Sequence, residues 1–144
     1  MPNEKNLETI PVGPLGIVAL ESCKELGDKV NNYIVDWRKN RVNEHKDSIA
    51  FAGYEKDSYL VNAQVPRFGS GEGKCVLHET IRGYDIYIIC DCFNHGITYN
   101  MYGYECHYSP DEHYANLKRA ISACAGKAKR ITVVMPMLYE GRQH

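Results

Sequence analysis

Two groups of side chains in this 144-residue sequence have residue types and spacing that could do chemistry. The first lies in the stretch Pro66 to Asp91, which opens on the glycine-rich run Gly69-Ser70-Gly71-Glu72-Gly73-Lys74. A loop rich in backbone N–H groups beside a buried strand is where α/β proteins bind phosphorylated ligands. A P-loop needs more than this. It requires glycine where Phe68 stands, serine or threonine where Cys75 follows the lysine, and a helix where this chain reads as strand. The run is better read as a turn that uses glycine for its backbone freedom. The second group is Cys90, Cys92, His95, Cys106, His107 and His113, all able to ligate a metal. Structural zinc sites pair their cysteines as C-x2–4-C, and C-x-C with scattered histidines does not fit that spacing. The segment reads instead as a tyrosine-rich surface hairpin. Asp111 and Glu112 read as helix-start charges rather than catalytic carboxylates. No nucleophile–base arrangement can be argued from spacing, so no catalytic or metal-ligating residue is assigned.

Those residues need a scaffold, and the composition says of what kind. A chain of this length suits one domain, residues 1–144, with 1–13 as a polar lead-in. The formal charge of -1 gives no support to nucleic-acid or membrane-surface binding, and nothing basic is interleaved with the tyrosines of 99–108. No apolar run approaches the ~20 residues of a membrane span. The polar N-terminus lacks a signal-peptide core, so a cytoplasmic protein is expected. In a reducing compartment Cys23 and Cys124 are expected to be buried on helix faces, and Cys75 to lie in a short strand.

The positioning elements can be read in order. Leu15–Leu20 is an apolar run of the buried-strand type. Residues 21–41 place Cys23, Leu26, Val30, Tyr33, Ile34 and Trp37 at helical spacing, with Glu21 or Ser22 at the start. Gly27 inside that helix suggests close packing, since glycine there is otherwise unfavourable by roughly 1 kcal/mol. Residues 39–58 read as a charged connection with a short strand at Ser48–Ala52, and Tyr59–Val65 as a further strand ended by Pro66. Strands are also expected around Lys74–Glu79 and at Ile86–Cys90, followed by a β-hairpin within Cys92–Tyr108. Ser109-Pro110-Asp111-Glu112 is a capping box with proline at the first helical position. The helix it opens carries Tyr114, Leu117, Ile121 and Cys124 inward and stops at Gly126. Residues 131–138 read as the clearest buried strand. Together these give an α/β fold with a mostly parallel sheet flanked by helices and a β-hairpin excursion. Because the sequence ends just past that strand, it is expected to be the front part of a longer protein.

Four motifs in order resemble those of ribose-phosphate pyrophosphokinase, also called phosphoribosyl-pyrophosphate synthetase. They are Phe68-Gly69-Ser70-Gly71-Glu72, Glu79-Thr80-Ile81-Arg82-Gly83-Tyr84-Asp85, Lys129-Arg130-Ile131-Thr132 and Gly141-Arg142-Gln143-His144. The resemblance covers the N-terminal half of that family from about Leu15 to His144, with apparent insertions at 39–58 and 92–108. Ser70 stands where the family has asparagine, Glu140 where it has tyrosine and His144 where it has aspartate, which marks a divergent branch.

The resemblance implies a type I phosphoribosyltransferase-like half and an enzyme that transfers pyrophosphate from Mg-ATP to ribose 5-phosphate. It implies that Arg142 and Gln143 contact ATP. It further implies that Phe68, Ser70 and Glu72 cap the adenine pocket of a neighbouring subunit in a homo-oligomer. The chemistry suits the residue types, since a phenylalanine stacks on a purine, a carboxylate accepts from its amine, and arginine pairs with phosphate. Thr80 and Arg82 match positions near the family's regulatory phosphate site. The family's metal-binding histidine, its mobile cationic loop and its acidic ribose-phosphate loop all lie past residue 144. The 144-residue chain alone is therefore expected to be inactive. The alternative is a non-catalytic assembly or regulatory relative.

Overall fold

The three apolar runs around 15–19, 85–89 and 130–134 become the framework, because runs covered by helices must be apolar on both faces. The computed structural model describes residues 11–41 and 49–142. Its elements in chain order are β1 (Leu15–Ala19), α1 (Lys24–Asn40), β2 (Ala63–Gln64), β3 (Val76–Leu77), β4 (Asp85–Ile89), β5 (Thr98–Met101), β6 (Tyr104–His107), α2 (Pro110–Cys124) and β7 (Arg130–Val134). The sheet is three-stranded and wholly parallel in the order β1–β4–β7, with Ile17 opposite Tyr87 and Tyr87 opposite Thr132. The pairs β2–β3 and β5–β6 are separate antiparallel ribbons. This is the expected α/β architecture, hairpin included. Among the described residues no helix is long and apolar enough to cross a membrane.

Alternation along the central strands divides the core into two faces. Val18, Ile86, Ile88 and Cys90 pack with Leu117, Ala120 and Cys124 of α2. Ile17 and Ile89 pack on the other side with Leu15, Cys23 and Tyr59, and with Val30, Ile34 and Val35 of α1. Cys23 and Cys124 are buried as expected. At the open end of the sheet Arg130 pairs with Asp85 at 2.8 and 2.5 Å, joining β4 to β7 in register.

Several expectations change in the tertiary structure. Tyr33 and Trp37, expected on the inner stripe of α1, are 70% and 50% exposed, and Leu26 is exposed as well. The buried positions are Gly27 and Asn31. At 100° per residue the inner face is turned by roughly 70° from the one the large apolar residues mark. Two contacts force the turn. A Cβ on Gly27 would come within 2.4 Å of the Ala19 Cβ, so only glycine lets the helix lie this close to β1. Asn31 is buried because its Oδ1 accepts from the Tyr59 amide at 2.7 Å and from the Ser58 hydroxyl at 3.3 Å.

The strand expected at Ser48–Ala52 is a 3-10 turn over Ile49–Phe51, and Ser48 lies outside the described residues. Tyr59–Val65 is not one strand. Tyr59 and Val61 exchange backbone hydrogen bonds with Ile17 at the β1 edge, and only Ala63–Gln64 goes on to pair with β3. Among the described residues the run read as the clearest buried strand, β7, is an edge paired with β4 alone, and Val133 and Val134 are exposed. The helical turn does begin at Glu21, but Ser22 faces inward and accepts from the Asp91 amide rather than capping the helix.

Candidate functional site

The glycine-rich loop leaves β2 at Pro66 and returns toward β3 as a tight hairpin. Arg67 bridges Gly73, the Phe68 amide donates to the Glu72 carbonyl at 2.8 Å, and the Gly71 amide donates to the Phe68 carbonyl at 2.9 Å. Gly71 has a φ of +91°, a conformation that side chains with a Cβ rarely adopt. No helix follows, so the loop's amides close on its own carbonyls rather than radiating toward an anion. The result is an arm with Phe68, 49% exposed, near its tip and with Ser70 and Glu72 beside it. The Ser70 hydroxyl donates to Glu72 Oε2 at 2.8 Å. Glu72 Oε1 has no hydrogen-bond partner among the described residues. An exposed ring next to a carboxylate with spare acceptor capacity fits the apolar face and amine edge of a purine.

The root of the arm is held from outside it. Arg67 Nη1 donates to the Gly71 carbonyl at 2.8 Å, and Nη2 pairs with Glu112 at 3.1 Å. The guanidinium lies over the rings of Tyr99 and Tyr108, 4.6 and 5.1 Å from their centroids. Glu112 also accepts from the Tyr99 hydroxyl at 2.9 Å and from the Ser109 amide at 2.7 Å, completing the capping box of α2. Burial pushes the Glu112 carboxyl up, but the bonds from the Ser109 amide, Tyr99 and the Ser109 hydroxyl, with the Arg67 charge, outweigh it and hold it below the ordinary glutamate value. The same bond raises the Tyr99 hydroxyl. Farther out, the Tyr102 hydroxyl donates to the Gly69 carbonyl.

Thr80 and Arg82 line an open pocket of about 280 Å³ together with Leu77, Glu79, Ile81 and Lys127. Glu79 is engaged there by the Asn62 amide at 2.8 Å, while Arg82 and Lys127 supply two cations. Arg142 lies exposed on the segment after β7. No hydrogen bond or ion pair joins it to the arm among the described residues, and Gln143 falls outside them. The sequence-predicted residues thus separate into an arm, a pocket and a tail within one chain. Before Arg142, Tyr139 packs between Phe93 and Tyr114 and donates to Asp111, which raises its hydroxyl to about 12.

The metal-capable residues do not converge. Cys90 and Cys92 are buried with their sulfurs 3.9 Å apart. His107 Nδ1 meets the His95 carbonyl at 3.0 Å, and His113 Nε2 meets the Asn94 carbonyl at 2.8 Å. No three His, Cys, Asp or Glu among the described residues come together as a metal site. Sequence reasoning missed Arg67, Tyr99, Tyr102 and Lys127. An arginine and a tyrosine 32 positions apart in sequence carry no spacing signal, and each contact exists only once the hairpin folds back.

The model of a protein family described as the N-terminal domain of ribose phosphate pyrophosphokinase matches residues 15–144. No curated protein matches the chain at a significant level.

Proposed function

The chain belongs to the family of ribose phosphate pyrophosphokinase N-terminal domains, and on that premise we propose that it serves an enzyme transferring pyrophosphate from Mg-ATP to ribose 5-phosphate. Its own part is to supply ATP contacts and subunit contacts in a cytoplasmic homo-oligomer. The observation that carries this reading is the arm, which offers an exposed Phe68 ring and the Glu72 carboxylate on a closed hairpin rather than a phosphate cradle. Arg142 and Gln143 would meet the nucleotide from the tail. Among the described residues no hydrogen bond or ion pair joins Arg142 to the arm, which is compatible with a site that takes the arm from one subunit and the tail from its neighbour. Bound Mg-ATP supplies the pyrophosphoryl group, and the chain's residues bind and orient it. Phe68 stacks on the base, Glu72 accepts from the exocyclic amine, and Arg142 meets phosphate charge. The single donor of the Ser70 hydroxyl goes to Glu72, so Ser70 can offer a nucleotide acceptor capacity alone, where an amide could both donate and accept. The pocket lined by Thr80, Arg82 and Lys127 offers a regulatory phosphate two cations and a hydroxyl, with the Glu79 carboxylate beside them engaged by the Asn62 amide.

The test is turnover of Mg-ATP and ribose 5-phosphate by the enzyme containing this domain. Phe68→Ala should raise KM for ATP about tenfold or more, as expected for loss of a base stack of about 1–3 kcal/mol. Arg142→Ala should lower kcat/KM at least as far, and Arg82→Ala should remove any dependence on inorganic phosphate while leaving KM for ATP unchanged. Equal turnover by wild type and the Phe68 and Arg142 variants would refute the site. Absence of turnover by the wild type would favour a non-catalytic assembly or regulatory relative.

A further inference from the structure

The β5–β6 hairpin reverses through Tyr102 and Gly103, both at positive φ, +52° and +82°. Two consecutive positive values make the type I′ turn, whose first position favours asparagine, aspartate or glycine. A tyrosine there is strained, and it is 79% exposed, so core packing does not explain it. What the side chain does is reach across to the glycine-rich arm, where its hydroxyl donates to the Gly69 carbonyl. Gly69 stands between Phe68 and Ser70 at the arm's tip, 33 residues earlier in sequence. The hairpin thus meets the arm twice. At the root Arg67 lies against the adjoining rings of Tyr99 and Tyr108, and at the tip Tyr102 clips the backbone. The arm's internal bonds at Phe68 and Gly71 are themselves on an exposed excursion, the kind of place where hydrogen bonds open locally.

We propose that the β5–β6 hairpin is a brace for the arm and that Tyr102 is a positioning residue for the base-capping side chains. The brace holds Phe68, Ser70 and Glu72 in one arrangement before any nucleotide arrives. A ligand that binds only the closed arm loses apparent affinity in proportion to the fraction of time the arm is open. The inference rests on the assignment of Phe68, Ser70 and Glu72 to a purine, but the brace itself can be measured without nucleotide.

Two variants separate the parts. Tyr102→Phe keeps the ring and the turn and removes only the donor. Tyr102→Asn removes the clip while placing a favoured residue in the turn, so the hairpin itself is strengthened. In the 144-residue chain, amide hydrogen exchange at Phe68 and Gly71 should rise about three- to tenfold in both variants, the factor one net hydrogen bond supplies. The Tyr108 amide, bonded to the Ile97 carbonyl at 3.0 Å, should exchange no faster in either, and Tyr104→Phe should change nothing. A purely global destabilisation would accelerate β1 and β4 as well. Unchanged exchange at 68–71 in both variants would overturn the brace. In the enzyme containing this domain, both variants should raise KM for ATP by the same factor, with kcat and KM for ribose 5-phosphate unchanged. Faster exchange with an unchanged KM for ATP would keep the brace and refute the base-capping role of the arm.

Discussion

Glu112 is the point where the arm, the hairpin and α2 meet, and replacing it by glutamine tests whether they are one unit. Its carboxylate accepts from Arg67, Tyr99 and the Ser109 amide. The Arg67 side chain is only 11% exposed and Glu112 28%, so the pair lies well below the surface. Glutamine keeps the shape but has one acceptor oxygen, so its amide must face either the Ser109 N–H or the Arg67–Tyr99 pair. Losing the cap costs about 1 kcal/mol. Leaving the nearly buried guanidinium short of its counter-charge costs about 1–3 kcal/mol more. Among the described residues Arg67 Nε already lacks a partner, so little is left to compensate. The sum is roughly 2–4 kcal/mol, and its lower half is expected because Glu112 keeps some water, whereas breaking a fully buried pair costs about 3–5. With a urea slope of about 2 kcal/mol/M for a domain of this size, the midpoint should fall by roughly 1 M at pH 7. In a double-mutant cycle with Arg67→Met the coupling should reach about 1–2 kcal/mol, whereas an exposed pair gives less than about 1. A coupling under about 0.5 kcal/mol would refute the unit. The pH dependence adds a sign. The folded Glu112 value lies below the ordinary 4.5, so its contribution is fully present above 4.5 and is lost as pH falls through the lower folded value. The gap between wild type and variant should therefore narrow below about pH 4.5. A gap constant from pH 7 to 3 would count against the charge.

Gly27→Ala should destabilise despite the helix preference for alanine. The new Cβ would lie 2.4 Å from that of Ala19, and overpacking of about 1–3 kcal/mol outweighs a propensity gain of about 1. Ala19→Gly in the same chain should restore much of the loss, and a higher Tm for Gly27→Ala alone would contradict the packing account. The cysteines should divide by burial. Desolvation pushes the Cys90 thiol up to about 12 and Cys124 to about 11, while Cys106 is partly exposed. A thiol reagent at pH 8 should modify Cys106 well before Cys23, Cys90, Cys92 or Cys124, as read by mass spectrometry, until urea opens the fold. Labelling of Cys90 at the rate of Cys106 would contradict this.

Much of the fold was legible because it rests on local rules. Five-residue apolar runs between helical patterns can only be covered strands, and β1 and β4 appear where the runs stand. The Ser109–Glu112 box starts α2 at the residue its chemistry predicts. Of the candidate site, the glycine-rich turn could be read from the sequence, but not the contacts that hold it. The inner face of α1 misled because a glycine and an asparagine carry it. Hydrophobic spacing marks large apolar residues, whereas Gly27 is inside for lack of a side chain and Asn31 for its hydrogen bonds.

The sequence by itself determined the two long helices, the main runs of the parallel sheet, the cap of α2 and the family motifs, whose signals lie in neighbours a few residues apart. Only the tertiary structure decided that β7 is an edge and that Thr80 and Arg82 share a pocket with Lys127. It alone joined Arg67 to Tyr99 and Glu112, and Tyr102 to Gly69. These pairings lie 32 to 45 residues apart. Such contacts come from how the ribbons and α2 pack against one another, which no local periodicity encodes.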